Sequence, residues 1–229
     1  MDIKIRLASG SPRRLELIAL TGWAIEAIPA DIGEQHVPGE APGAMTRRLA
    51  QEKAQALADR AELVLGADTV VIDGDRTLGK PTGVEDARRT LMRLRGRTHQ
   101  VITSIAILKP EDGIQLDDRC LSAVPMRDYS DAEIERYLAS ESPLDKAGSY
   151  GIQDGGFRPV EMTAMRDCYA NVMGLPLCHV ARNLRKLGHE PPADVPTACQ
   201  HHTGYECHVY PQILEGPPNA RTDSKDRVQ

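Results

Sequence analysis

The stretch Ile3-Lys4-Ile5-Arg6-Leu7-Ala8-Ser9-Gly10-Ser11-Pro12-Arg13-Arg14 reads as a short strand that turns sharply into a helix. Ser11 suits the N-cap position and Pro12 the first helical position. Leu15, Ile18 and Ala19 recur at helical spacing, and Gly22 marks the stop. A helix start leaves unpaired N–H groups beside the positive end of a dipole, which suits an anion. Ser9, Gly10 and Ser11 are small enough for a phosphate to approach the backbone, and Arg13 and Arg14 add fixed charge. Read locally, an ordinary capped helix with two solvated arginines fits as well.

Outward from this unit, strands and helices alternate, which predicts an α/β fold with a mixed sheet. Strands are expected at 23–29, at 63–72 with interruptions at Gly66 and Asp68, at 100–108 and at 121–126, the last two flanking a loop at 109–118. Helices are expected at 44–58, 84–94, 131–139 (capped by Ser130) and 175–187. Asp73-Gly74 signals a tight turn, and residues 145–156 are glycine-rich and irregular. From Gly188 the composition shifts to proline and polar groups, so residues 1–188 read as one domain and 189–229 as a poorly ordered tail.

The 229 residues are 41% hydrophobic but only 3% aromatic, so the core must be aliphatic. The net charge of -5 argues against stable nucleic-acid binding and confines any phosphate site to a local basic cluster. No apolar run is long enough to span a membrane, and no secretory signal opens the chain. Five scattered cysteines without C-x-x-C argue against a disulfide framework and for a reducing cytoplasm. Cys199, His201, His202, Cys207 and His208 make zinc conceivable, but their spacing fits no standard finger or ribbon.

Four further positions could carry chemistry. Asp68 lies in an apolar strand region, where a carboxylate is costly unless paired or metal-bound; it could be a general base, a metal ligand or a strand-end cap. Lys53 falls on or beside the buried stripe of its helix, to snorkel or to meet a phosphate. Gly74 to Lys80 matches the first seven positions of a Walker A motif, but Pro81 replaces the required Ser or Thr and the context is a hairpin, so a P-loop is excluded. Lys80 remains as a cation in a rigid Gly-Lys-Pro turn. Gln153 has a donor and an acceptor with which to read a base edge, unless its glycine-rich segment is only a flexible surface loop.

Seven stretches in order resemble the Maf family of nucleotide pyrophosphatases: LASGSPRRLEL (7–17), RLAQEKA (48–54), LGADTVV (65–71), LGKP (78–81), RGRTHQVIT (95–103), DKAGSYGIQ (145–153) and NVMGLPL (171–177). The resemblance covers residues 3 to about 188. It implies an elongated mixed sheet flanked by helices, with two lobes around a cleft, related to the inosine-triphosphate pyrophosphatases. It implies hydrolysis of a nucleoside triphosphate to the monophosphate and pyrophosphate, with a divalent cation, Mg2+ or Mn2+.

Position by position, the resemblance makes Asp68 the general base and Glu34 an acidic partner in holding the metal. Ser9, Ser11, Arg14, Lys53 and Lys80 become substrate ligands. Arg13, Thr69 and Gln153 resemble the selectivity set of the branch that prefers dTTP and UTP, a role in nucleotide-pool cleansing. The family also suggests a homodimer and an association with arrest of cell division, the latter offering a regulatory binding protein as the alternative. One position departs: where the family usually has Gly after the matching Gln, this chain has Asp154, and Phe157 to Asp167 match poorly.

Overall fold

The computed structural model describes residues 3–35, 37–59 and 62–216. Among the described residues, six strands form one mixed sheet: β1 (Lys4–Ala8), β2 (Ala24–Ala27), β3 (Leu63–Asp73), β4 (Arg76–Leu78), β5 (Thr98–Lys109) and β6 (Ile114–Pro125). Their order is β2-β1-β3-β5-β6, with β4 paired to the far end of β3. β1 runs parallel to β2 and β3, whereas β5 runs antiparallel to both of its neighbours, β3 and β6. β1 leaves β3 at Ala8↔Gly66, and β4 joins it only at Val71↔Leu78. β5 occupies the opposite edge from Val64 to Ile72. The edge of the central strand is therefore open at residues 67–70, where Asp68 lies.

Among the described residues the α-helices are α1 (Pro12–Ala19), α2 (Pro42–Gln55), α3 (Val84–Leu94), α4 (Asp131–Leu138), α5 (Tyr169–Met173), α6 (Leu177–Lys186), α7 (Val195–Thr203) and α8 (Tyr210–Glu215). Alternation along β3 divides the core in two. Val64 joins Ala8, Ala50, Ala54, Ala106 and Leu108 beneath α2, whereas Leu65, Ala67 and Val71 enter the larger core on the other face. The α2 side is built from small residues because the helix lies unusually close. A Cβ on Gly66 would meet the Ala50 carbonyl oxygen at 2.1 Å and the Ala54 nitrogen at 2.8 Å.

Several sequence expectations change. β3 runs unbroken through Gly66 and Asp68, because Gly66 admits α2 and Asp68 finds a partner there. Most of the loop expected at 109–118 is strand: β5 and β6 form a long hairpin that turns at Pro110–Gly113. Residues 114–119 alternate between half-buried and exposed, so an edge strand had the composition of a loop. Ser11 holds the cap position of α1, but its side chain makes no cap bond; its N–H donates instead to Ser9 Oγ at 3.2 Å. Leu15 is exposed, and α1 buries Leu17 and Ile18. Ser130 forms the expected cap, as a full capping box with Glu133.

The stretch expected to be a loose tail carries α7 and α8 within 189–216. Val195 and Tyr205 are buried in the main core, the Tyr205 hydroxyl donates to the Met165 carbonyl at 3.2 Å, and Arg182 reaches the Ile213 carbonyl at 2.7 Å. Apolar docking outweighs the polar composition of this segment. Residues 217–229 lie outside the described residues. Among those described, no helix is long and apolar enough to cross a membrane.

Candidate active site

Above the open edge of β3 lies a cleft of about 960 Å³. Ser9 and Ser11 reach it from the β1–α1 turn, Arg13 and Arg14 from the first turn of α1, Glu34 from the loop before α2, and Lys53 from α2. Asp68 and Thr69 come from β3, Lys80 from the turn after β4, and Gln153 from the glycine-rich segment. The fold thus brings every sequence-predicted site residue to one cavity, from positions up to 144 residues apart in the chain (9 to 153).

Adjacent residues of β3 point to opposite faces, and the site uses both. On the α2 face, Lys53 Nζ donates to Asp68 Oδ1 at 2.7 Å and pairs with Glu34 Oε1 at 2.7 Å. Lys53 and Asp68 are buried, whereas Glu34 is exposed at the rim. Burial pushes the Asp68 carboxyl above its ordinary value of 3.8; Lys53 and Arg14 oppose the rise and the Glu34 charge adds to it. Glu34 is lowered, first by its bond to Lys53. One ammonium therefore joins two carboxylates of unlike character.

On the other face, Arg14 Nη2 donates to Thr69 Oγ1 at 3.0 Å, and Arg14 Nε donates to the Gly174 carbonyl at 2.8 Å. Gly174 ends α5 with φ of 106°, a left-handed conformation that favours glycine and turns this carbonyl to the arginine. Arg14 Nη1 also lies 3.4 Å from Ser9 Oγ. Burial lowers the Arg14 pKa while the Asp68 charge opposes that shift. The guanidinium is thereby fixed in direction. Thr69 Oγ1 lies 2.9 Å from Thr103 Oγ1, which donates to the Asn171 carbonyl at 3.2 Å.

Arg13 behaves differently from its neighbour: it is half-buried and meets Asp145 Oδ2 at 3.7 Å. Lys80 is exposed at the rim, in a turn tied to the glycine-rich segment by the Gly148 N–H donating to the Gly79 carbonyl at 3.1 Å. Asp145, Lys146 and Gly174 also line the cleft and were not singled out from the sequence. The signal lay in the DKAGSYGIQ and NVMGLPL stretches, but nothing local told a buried Lys146 from a solvated one.

Mg2+ and Mn2+ take hard oxygen donors, commonly one or two carboxylates completed by substrate phosphates. Glu34 and Asp68, gathered on one ammonium, provide such a donor pair. The structure does not gather Cys199, His201, His202, Cys207 and His208 into a zinc site. Among the described residues no group of three or more His, Cys, Asp or Glu is placed to hold a metal.

Fold and site together define an α/β protein with a cation-lined, carboxylate-bearing cleft at the open edge of its central strand. Residues 4–187 match the family model described as "Maf-like protein", and the chain belongs to that family. Three similar proteins carry the name dTTP/UTP pyrophosphatase. The one from Geobacter sulfurreducens is 43% identical, covering 81% of this chain and 97% of its own. The one from Geobacter metallireducens is 45% identical (81% and 96%), and that from Chromobacterium violaceum is 44% identical (83% and 98%). Among solved structures, a HAM1 protein from Coxiella burnetii aligns with a TM-score of 0.39 at 16% identity, covering 56% of this chain and 74% of that one.

Proposed function

We propose that this chain hydrolyses nucleoside triphosphates, dTTP and UTP foremost, to the monophosphate and pyrophosphate. The observation that carries the reading is the Lys53 ammonium, 2.7 Å from both Asp68 and Glu34, in a cleft that Arg14 and Lys80 also line. A buried carboxylate beside cations is the arrangement that hydrolysis of a phosphate chain needs. The names of the relatives supply the nucleotide class.

In this reading the Asp68 carboxylate takes a proton from a water molecule. The water oxygen forms a bond to the α-phosphorus, and the bond from that phosphorus to the α,β-bridging oxygen breaks. The electron pair leaves with pyrophosphate. Arg14, Lys53 and Lys80 neutralise the charge that grows on this leaving group, so they favour the transition state as well as binding. The raised Asp68 carboxyl suits the role, since a base with affinity nearer the working pH accepts a proton more readily. A divalent cation held by Glu34 and Asp68 would withdraw charge from the phosphate oxygens. At the other end, Gln153 would accept from the N3–H of thymine or uracil and donate to a ring carbonyl, with Arg13 and Thr69 completing the selection.

The test is pyrophosphate release from a panel of nucleoside triphosphates with Mg2+ or Mn2+, for the native chain and Asp68→Asn. Turnover of dTTP and UTP, lost in a folded Asp68→Asn protein, is expected. No turnover of any nucleotide would remove the function, and near-normal turnover by Asp68→Asn would remove Asp68 as the base.

A further inference from the structure

Asp154, an anionic residue directly after Gln153, is drawn into a set of contacts that the hydrolytic chemistry does not use. The turn Gly151-Ile152-Gln153-Asp154 closes when the Asp154 N–H donates to the Gly151 carbonyl at 3.3 Å. The Asp154 side chain then folds back over its own turn: a Cβ on Gly151 would meet Asp154 Oδ1 at 2.5 Å. The Tyr137 hydroxyl of α4 donates to Asp154 Oδ2 and accepts the Gly151 N–H at 3.1 Å. One phenol thus holds both ends of the turn that displays Gln153.

Further groups converge on the same carboxylate. Ser142 Oγ donates to Asp154 Oδ2 at 3.0 Å, and the buried Lys146 ammonium lies 3.5 Å from it. Lys146 is itself held by the Ser142 carbonyl at 2.6 Å and by Asp145 Oδ1 at 3.0 Å. Asp145 in turn pairs with Arg13. An unbroken chain of charges, Arg13–Asp145–Lys146–Asp154, therefore links the start of α1 to the turn bearing Gln153. Tyr137 stacks on the buried Phe157 with ring centroids 4.4 Å apart, so the clamp is anchored in the core.

We infer that Asp154 is a positioning residue for base selection, fixing the Gln153 turn through Tyr137 and Lys146 and coupling it to Arg13. The inference rests on the reading that Gln153 meets the base of a nucleotide in the cleft. The chemistry requires such a device. A glutamine amide presents a donor and an acceptor that exchange places when it rotates, so a free glutamine serves thymine and cytosine alike. Discrimination arises when a fixed backbone lets only one pattern pair well and leaves the other base with unpaired polar groups.

The experiment compares kcat/KM for dTTP and dCTP in the full-length protein and in Asp154→Ala, Asp154→Asn and Tyr137→Phe. In Asp154→Ala the dTTP/dCTP ratio falls about tenfold, or about 1.4 kcal/mol, mainly through KM for dTTP, with a smaller change in kcat. Asp154→Asn keeps an oxygen that accepts from Tyr137 and Ser142 but loses the charge facing Lys146, so its ratio falls between those of the native protein and Asp154→Ala. Tyr137→Phe shifts the ratio in the same direction as Asp154→Ala, and it carries the test if the alanine variant does not fold. A wild-type ratio in either folded variant overturns the positioning role alone. If the native protein does not prefer dTTP over dCTP, the base-reading role of Gln153 falls, and this inference falls with it.

Discussion

Gly66→Ala should couple a packing defect directly to the chemistry. The added Cβ would stand 2.1 Å from the Ala50 carbonyl oxygen, where real contacts stay above 3.0 Å. Both partners are backbone, so no side chain can rotate away. The helix and strand must separate by 0.9 Å or more, the difference between 3.0 and 2.1 Å. Lys53 sits one turn further along α2 from Ala50, and Asp68 two residues beyond Gly66 on β3. The same displacement would stretch their 2.7 Å contact to about 3.6 Å, beyond hydrogen-bond range. Overpacking of this kind costs about 3 kcal/mol, which lowers the thermal midpoint by roughly 6–12 °C in a chain of this length. A misplacement of about 1 Å at reacting groups costs on the order of 100-fold in rate. Thermal denaturation and pyrophosphate release, read together, test both halves. In open space a Gly→Ala change stabilises, by about 0.4–1 kcal/mol, through the unfolded chain. Gly156, with nothing within 4 Å of a Cβ and no positive φ, is the comparison site. A Gly66→Ala protein with an unchanged or raised midpoint and native kcat/KM would refute the close-approach reasoning.

Three other expectations follow from the same structure. Lys53→Met keeps the side-chain stem but removes the charge facing Asp68, so the already raised carboxyl should climb further; carbon-13 titration of the metal-free protein reads the shift, and an unmoved midpoint counts against the pairing. A carboxyl raised in the folded state contributes its full stability below its ordinary value of 3.8 and loses it as pH rises through the folded value, so the Lys53→Met deficit should grow with pH across the window above 3.8. Asp118 has the opposite sign: burial would raise it, but bonds from His179, Arg182 and Asn183 hold its carboxyl well below the usual range. Its stability is present above about pH 3.8 and lost as pH falls toward the folded value, so Asp118→Asn should cost about 3 kcal/mol at neutral pH and converge on the native protein in acid, as urea unfolding at several pH values will reveal. Tyr205→Ala should cost about 3 kcal/mol, because the segment after residue 188 is part of the core; an unchanged urea midpoint would mean that the segment is only appended.

Much of the fold was legible because its signals are local. The β1 turn, the helix from 84 to 94 and the Ser130 cap depend on residues a few positions apart. So do hydrophobic period, cap chemistry and turn glycines. The candidate residues were legible because their types are rare where they stand, such as a carboxylate in a run of valines or a lysine on a buried stripe. Two elements were hidden because their neighbours decide them. The start of β6 has the composition of a loop and becomes a strand by pairing with β5. The 189–216 segment has the composition of a tail and becomes helical against α6 and the core.

The sequence by itself determined the alternation of elements, the sign and kind of the reactive side chains, and the seven ordered stretches of the family. Tertiary structure alone decided their partnerships. It opened the edge of β3 between β1 and β4, set Asp68 and Thr69 on opposite faces, and gave Asp68 to Lys53 and Thr69 to Arg14. It also set Asp154, which on paper stood only as a stray charge beside Gln153, into a clamp with Tyr137 and Lys146. The physical reason is range. Propensity and periodicity act over a few residues, whereas the environment that shifts a carboxyl or orients a guanidinium is assembled from segments 15 to 160 residues apart.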